Sequence, residues 1–382
     1  MLKKLKISLT FGIILFTMVQ CTNEAPKSSP FLVPFTKNAA VNPCLLPGSE
    51  RSFVCPVRNT EVFWEEKDVF NPASVVKNDT LFLLYRAEDV LGKYNGTSRI
   101  GLAYSLDGYH FEKFDEPVLY PDNDEFKKYE WEGGCEDPRV VEDESGTYYM
   151  TYTAYDGDKA RLFVATSADL RNWTKYGSVF TKAGNQYVDM WSKSGSVLCR
   201  EENGKMIATK VNGKYWMYWG ESNIYMATSD NLIDWNPVLE TDADKMVIDE
   251  MRNYTVAFKI LFSTREGKFD SELVEPGPPA LLTENGFVFI YNSKNSPEFG
   301  DKNLAQGSYA AGQILSDKND PTKVLDRLDN YFITPDQPFE ITGQVNNVCF
   351  VEGLARFNNK WLLYYGTADS KIAVAESKNV NF

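Results

Sequence analysis

The sequence predicts an all-β chain folded as a five-bladed β-propeller, and three observations carry that prediction. Helical periodicity is scarce, while short runs of β-branched and aromatic residues recur between Gly, Asn and Asp turns. One unit appears five times: an apolar strand, a turn, an aromatic-rich strand, a strand carrying a small residue, and a Ser-x-Asp-like turn. The small residues Ala103, Ala165 and Ala227 are each 62 positions apart, Gly312 follows after 85 and Ala373 after another 61. A period of about 60 residues suits four-stranded blades around an axis, and a β-sandwich or tandem small sheets would not require such repetition.

From the N-terminus, the first element is an export signal. Lys3, Lys4 and Lys6 precede an uncharged apolar run over residues 7–19, too short to span a bilayer comfortably. Cys21 follows Met18-Val19-Gln20, which is similar to a bacterial lipoprotein cleavage box, although Gln20 stands where a small residue is usual. Cys21 is therefore expected to be lipidated; the alternative is an ordinary signal peptide with a coincidental cysteine. Residues 22–30 are small and polar, as in a tether. The expected organisation is a signal peptide (1–20), a lipoprotein tether and N-terminal extension (21–45), and a propeller domain (46–382). The protein is then expected in the cell envelope, facing the periplasm or alternatively the outer surface.

The blades follow in order. Blade one is expected over residues 70–76, 81–85 and 100–107, and blade two over 138–141, 148–152 and 162–167. Blade three takes 195–198, 215–219 and 224–230; blade four takes 279–282, 287–291 and 311–315. Blade five takes 353–356, 361–365 and 372–375. Residues 241–272 account for the long interval as an insertion between blades three and four. Alternation with period 2 buries one residue set between adjacent blades. The innermost strands converge on a funnel, so polar residues at their starts are the candidates for function.

Composition narrows the chemistry. Loss of residues 1–20, with three lysines and no acids, takes the net charge from −13 to −16. Such a surface disfavours nucleic acid and anionic lipid, leaving the acyl anchor as the membrane contact. A single histidine, His110, and the lack of Cys-x-x-C exclude a histidine-based metal site and a Ser-His-Asp triad. No cofactor or metal is implied. Aromatic residues, at 14%, suit sugar stacking and sheet cores equally. Cys44 and Cys55 flank a short loop and are either bridged in an oxidising compartment or free thiols.

The strongest local signal is Gly133-Gly134-Cys135-Glu136-Asp137-Pro138-Arg139. Pro138 biases Asp137 toward extended backbone, so one of the two adjacent carboxylates is expected to face the axis. Asn71-Pro72 with Arg86, the Glu136–Arg139 run followed by Val140, Gly277-Pro278-Pro279, and the run from Tyr364 through Gly366 to Asp369 lie on four different blades. Together they resemble glycoside hydrolase family 130, over about residues 65–376. The resemblance implies a five-bladed propeller acting on mannosides with inversion, either a β-mannosidase or a mannoside phosphorylase. It implies Asp137 as general acid and Asn71, Arg86 and Asp369 as holders of the mannosyl unit, with Arg99 and Arg139 as neighbours.

Phosphorylases of that family resemble one another in an Arg after the blade-three aromatic strand, a Lys before Gly-Pro-Pro and a His on the next strand. Here the corresponding residues are Gly220-Glu221, Leu273 and Asn292, with Glu275 close by. Phosphate needs fixed cations, and two acids would repel it. A carboxylate there, Glu221 or Glu275, can instead act as a base on water. Lys193, at the start of blade three, is expected to contact substrate or an acid. The expected function is an inverting exo-acting β-mannosidase on β-linked mannooligosaccharides, β-1,2 favoured. The alternatives are a phosphorylase releasing mannose-1-phosphate and a non-catalytic glycan-binding lipoprotein. An arabinanase-type glycosidase is disfavoured, because Asn71 stands where that group typically has an Asp base. The oligomeric state is left open.

Overall fold

The computed structural model describes residues 29–378, so the expected export signal and Cys21 lie outside the described residues. Five antiparallel meanders follow one another. Blade one comprises Asp68–Lys77, Thr80–Glu88, Ser98–Ser105 and the short Glu112–Lys113. Blade two comprises Gly134–Glu142, Tyr148–Tyr155, Ala160–Ser167 and Thr174–Ser178. Blade three is built on Ser196–Glu202, Lys214–Trp219 and Asn223–Ser229, edged by Trp235–Pro237 and Ile260–Ser263. In blade four the inner strand is broken into Leu273–Pro276 and Ala280–Thr283, followed by Gly286–Lys294, Tyr309–Ser316 and Val324–Arg327. Blade five comprises Cys349–Phe357, Lys360–Thr367 and Lys371–Ser377.

The outermost strand of blade five comes from the other end of the chain. Thr36 pairs with Glu376 and Lys37 with Ala375, so both ends of the described chain share blade five and its outer edge is short. Just before it, the Leu32 N–H donates to the Gln313 side chain at 2.9 Å and the Gln313 amide donates back to the Leu32 carbonyl at 2.8 Å. The described part of the N-terminal extension is thus fastened to blades four and five.

Two details of the repeat differ from the sequence-based expectation. Ala103, Ala165 and Ala227 stand opposite Leu83, Met150 and Met217, whereas Gly312 and Ala373 stand opposite Tyr291 and Tyr365, two residues out of register. Gly312 is small for a local reason: a Cβ there would lie 2.5 Å from the Tyr291 ring. The register-equivalent residues are instead Ser105, Ser167, Ser229, Ser316 and Ser377, each opposite the first position of the aromatic-rich strand. In the first three blades this serine ends the strand and folds the turn. The Ser105 hydroxyl accepts from Gly108 N, Ser167 from Leu170 N and Ser229 from Leu232 N, each at 2.9 Å. The second difference concerns residues 241–272. They contain two single turns, Ala243–Lys245 and Glu250–Arg252, but also Ile260–Ser263, which pairs with Asn223–Ser229. Part of the insertion therefore completes blade three.

Cys44 and Cys55 are free thiols, and burial pushes the Cys44 thiol up to about 12. The bridge is not formed.

Candidate active site

Three inner strands bulge at the same level. The pairing register slips between Phe70 and Pro72, between Glu136 and Arg139, and between Val351 and Gly353. A bulge re-aims the side chain it carries. Asn71 and Asp137 sit in these bulges with φ of 46° and 49°, a left-handed backbone that Asn and Asp tolerate better than most residues. The extended conformation expected for Asp137 is thereby overturned, and with it the expectation that only one neighbouring carboxylate reaches the axis. Arg86 meets both: its guanidinium lies 2.9 Å from Glu136 Oε1 and 3.4 Å from Asp137 Oδ1. Asn71 Nδ2 donates to Asp137 Oδ1 at 2.9 Å. Gly366 makes room for this approach, since a Cβ there would lie 2.4 Å from Asn71 Oδ1.

The Arg86 guanidinium is also bound by Glu88 at 2.8 Å and lies 4.7 Å from the centre of the Phe70 ring. Asp369, in a left-handed turn at φ 49°, adds another carboxylate to its field. One guanidinium therefore serves more acids than it can neutralise. Burial, reinforced by Asp137, pushes the Glu136 carboxyl up to about 7 against the pull of Arg86. Burial likewise pushes Asp369 up to about 7. Burial also works against ionised Asp137, but Arg86, Lys193, Arg139 and the Asn71 bond outweigh it and hold Asp137 below its ordinary range. The cations thus hold Asp137 low while burial holds Glu136 high, so the two carboxyls of the pair are driven apart.

The opposite wall is built by blades three and four. Lys193 Nζ lies 3.0 Å from Glu275 Oε1, and the Ser194 hydroxyl donates to the same oxygen through a very short bond. Glu275 is only 3% exposed. It pairs in register with Asn292, whose amide is fully used on the Val351 backbone, at 2.7 and 2.9 Å. Glu221 occupies a tight turn fixed at both sides: Gly220 N donates to Lys193 O at 3.0 Å, and Ser222 N donates to Val274 O at 2.8 Å. Burial pushes Glu275 up, with Glu221 and Asp137 adding to the rise and Lys193 opposing it. Lys193 is raised despite burial by Glu275, Glu221 and Asp137. The structure thus gathers Asn71, Arg86, Asp137, Lys193, Glu221, Glu275 and Asp369 into one electrostatic cluster.

Two expected substrate contacts are structural instead. Arg99 is 1% exposed, pairs with buried Asp89 at 2.8 Å and donates to the Thr97 carbonyl. Arg139 staples the funnel floor, donating to the carbonyls of Gly277 at 2.8 Å, Pro276 at 2.6 Å and Asp137 at 3.1 Å. The Gly-Pro-Pro motif therefore holds blades together: Pro278 also accepts from the Ser196 hydroxyl at 2.8 Å.

Three further residues belong here and were not singled out from the sequence. Glu352 sits in the blade-five bulge, wholly buried, 3.3 Å from Arg139 Nη1; burial pushes its carboxyl well up. Tyr309 ends the 295–309 loop within the field of Glu275 and Asp369. Arg252 reaches in from the insertion, 3.7 Å from Glu221. The place of Glu352 directly before Gly353, where the blade-five repeat begins, matches that of Asn71 before Pro72 and Asp137 before Pro138, and is the one sequence signal for that residue.

A funnel lined by paired carboxylates, with an arginine and an asparagine beside them, is the equipment of an enzyme that breaks glycosidic bonds. Comparison with known proteins agrees. The family model for glycoside hydrolase family 130, described as β-1,4-mannooligosaccharide phosphorylase, matches residues 50–381. The chain belongs to glycoside hydrolase family 130, whose members are glycoside-active enzymes acting on mannosides. It is 30% identical to a 1,2-β-oligomannan phosphorylase of Thermoanaerobacter sp. (strain X514), covering 87% of this chain and 98% of that one. A solved structure of a putative glycoside hydrolase from Bacteroides ovatus ATCC 8483 is 49% identical, with a TM-score of 0.82 over 91% of this chain and 97% of that one. Another, from work on family members that are glycoside hydrolases targeting β-1,2 mannosidic linkages in Candida mannan, is 43% identical. Its TM-score is 0.84, over 91% of this chain and 96% of that one.

Proposed function

We propose that this enzyme hydrolyses β-linked mannooligosaccharides from their ends with inversion, β-1,2 linkages foremost. Asn71, Arg86 and Asp369 hold the mannosyl unit, and Asp137 protonates the departing oxygen. Glu221 or Glu275 takes a proton from the water that attacks the anomeric carbon from the opposite face. The sugar enters between Arg86 and the carboxylates and weakens the grip of the guanidinium on Asp137. Asp137 then takes up the proton it delivers and becomes the acid.

One observation carries the choice of water over phosphate: buried Glu275 occupies Lys193, the cation best placed to receive an anion. Arg252 is likewise engaged by Asp249 and Glu221. Phosphate would have to displace an internal carboxylate from either. The identities of 49% to a structure described as a putative glycoside hydrolase and 43% to one from work on hydrolases within the family, against 30% to a phosphorylase, support the same reading. The test is product analysis on β-mannosides of defined linkage with and without phosphate. α-Mannose as the first product in phosphate-free buffer is expected; mannose-1-phosphate formed only with phosphate would sink the proposal. The export signal and Cys21 support a lipid-anchored envelope location, which Cys21→Ser should convert to a soluble, unlipidated form.

A further inference from the structure

The insertion after blade three touches the funnel at one place. Within the turn Glu250–Arg252, Asp249 accepts from Arg252 N at 3.2 Å and binds the Arg252 guanidinium. The Arg252 carbonyl accepts from Trp191 N at 3.0 Å, two residues before Lys193. Tyr254 then packs edge-on against Trp219, ring centres 6.4 Å apart, and against Tyr225 at 5.8 Å. Trp219 closes the strand that leads into Gly220-Glu221. The insertion is therefore fastened on both sides of Arg252, and the guanidinium is delivered to the Glu221 turn. Its Nη2 lies 3.7 Å from Glu221 Oε1 and donates to the Ser222 hydroxyl at 3.2 Å, while its buried Nε has no hydrogen-bond partner among the described residues.

We infer that Arg252 is a positioning residue for the reaction, holding the Glu221 carboxylate in the orientation a base on water requires. The inference rests on the hydrolytic reading above. Asp249 anchors the guanidinium from behind, so Arg252 presents a fixed charge to Glu221 instead of a mobile one. Facing Glu221 are Arg252 and Tyr254 from the insertion, Lys193 from the start of blade three and Glu275 from blade four. Lys193 is bound by Glu275, whereas Arg252, held from behind by Asp249, is the cation that the insertion brings to Glu221.

The experiment compares wild type, Arg252→Met, Arg252→Lys and Asp249→Asn on β-1,2-mannobiose in phosphate-free buffer, across pH, with thermal melting alongside. Arg252→Met is expected to lower kcat about tenfold with KM changed less than about threefold. Arg252→Lys should restore part of kcat, and Asp249→Asn should fall between. Should Arg252→Met fail to fold, Asp249→Asn carries the same comparison with the guanidinium retained. A kcat within about twofold of wild type, or a change confined to KM, overturns the inference and leaves hydrolysis standing. If wild type instead requires phosphate, the hydrolytic reading fails first. Arg252→Met raising only the KM for phosphate would then overturn this inference as well.

Discussion

The two walls of the funnel solve opposite electrostatic problems. On the wall of blades one, two and five, the Arg86 guanidinium is shared by Glu88, Glu136 and Asp137 with Asp369 close by, so acid is in excess and protons are retained near neutral pH. On the wall of blades three and four, each cation is matched by at least one acid: Lys193 by Glu275, and Arg252 by Asp249 and Glu221. A wall that stores protons suits the departure of a sugar oxygen, whichever nucleophile attacks. On the hydrolytic proposal, the wall of matched cations is what selects the nucleophile: it presents carboxylates to a small neutral molecule, and both Lys193 and Arg252 are already engaged by acids. The comparison teaches that the lysine alone says little about phosphate; what matters is what already holds it.

The largest effect should come from the proton-storing wall. Asp137→Asn keeps the shape and the Asn71 contact but cannot donate a carboxyl proton, so kcat should fall about a thousandfold with KM little changed. Activity within tenfold of wild type would remove Asp137 from its role. The matched wall should respond less. Glu221→Gln and Glu275→Gln should each lower hydrolysis about a hundredfold. Azide, a small nucleophile that needs no base, should rescue Glu221→Gln with formation of mannosyl azide and leave Glu275→Gln unrescued. Rescue of Glu275→Gln alone would exchange the two roles. A control lies outside both walls. Arg99→Met leaves buried Asp89 without its partner and should lower stability by about 3 kcal/mol, read by denaturant unfolding. Its kcat/KM should stay within about twofold of wild type. A specific loss of activity there would return Arg99 to the substrate.

Much of this was legible in the sequence, for identifiable reasons. Strand periodicity and turn chemistry are local, so the aromatic-rich strands beginning at Leu81, Tyr148, Tyr215, Phe287 and Trp361 are found in mutual register. The motif residues converge because each lies at the same end of its blade: Asn71 and Asp137 near the starts of inner strands, Arg86 late in the strand that returns opposite Phe70, and Asp369 in the turn after Thr367. What escaped was nonlocal. No rule of neighbours says that Asp137 leaves the extended region, because the bulge is a property of the pairing between two strands. Arginine looks alike in sequence whether it serves a ligand, as proposed for Arg86, or staples a floor, as Arg139 does. Arg252 lay in an insertion with no repeat to align it, and its partner Glu221 is 31 positions away. The small-residue marks Gly312 and Ala373 misled because a gap opposite a tyrosine was taken for the same gap opposite Leu83.

The smallest prediction concerns stability and separates the walls without any substrate. Glu136 and Asp369 are both pushed up to about 7, whereas in the unfolded chain they would release their protons near their ordinary values. Between those limits the folded protein binds more protons than the unfolded one, so stability must fall as pH rises through that window and level off above about 7. Asp137 is held low, so its contribution has the opposite sign: it is present above the unfolded value and lost as pH falls through the folded one. The two contributions therefore occupy different pH ranges. Melting curves from about pH 5 to about pH 8 should show a decline, and Glu136→Gln and Asp369→Asn should each flatten part of it. A slope that survives in Glu136→Gln with Asp369→Asn combined would mean that the protons reside elsewhere, with buried Glu275 and Glu352 the next carboxyls to replace. The excess of acid would then belong to the matched wall and the floor beneath it, and the contrast between the walls would have to be redrawn around Lys193.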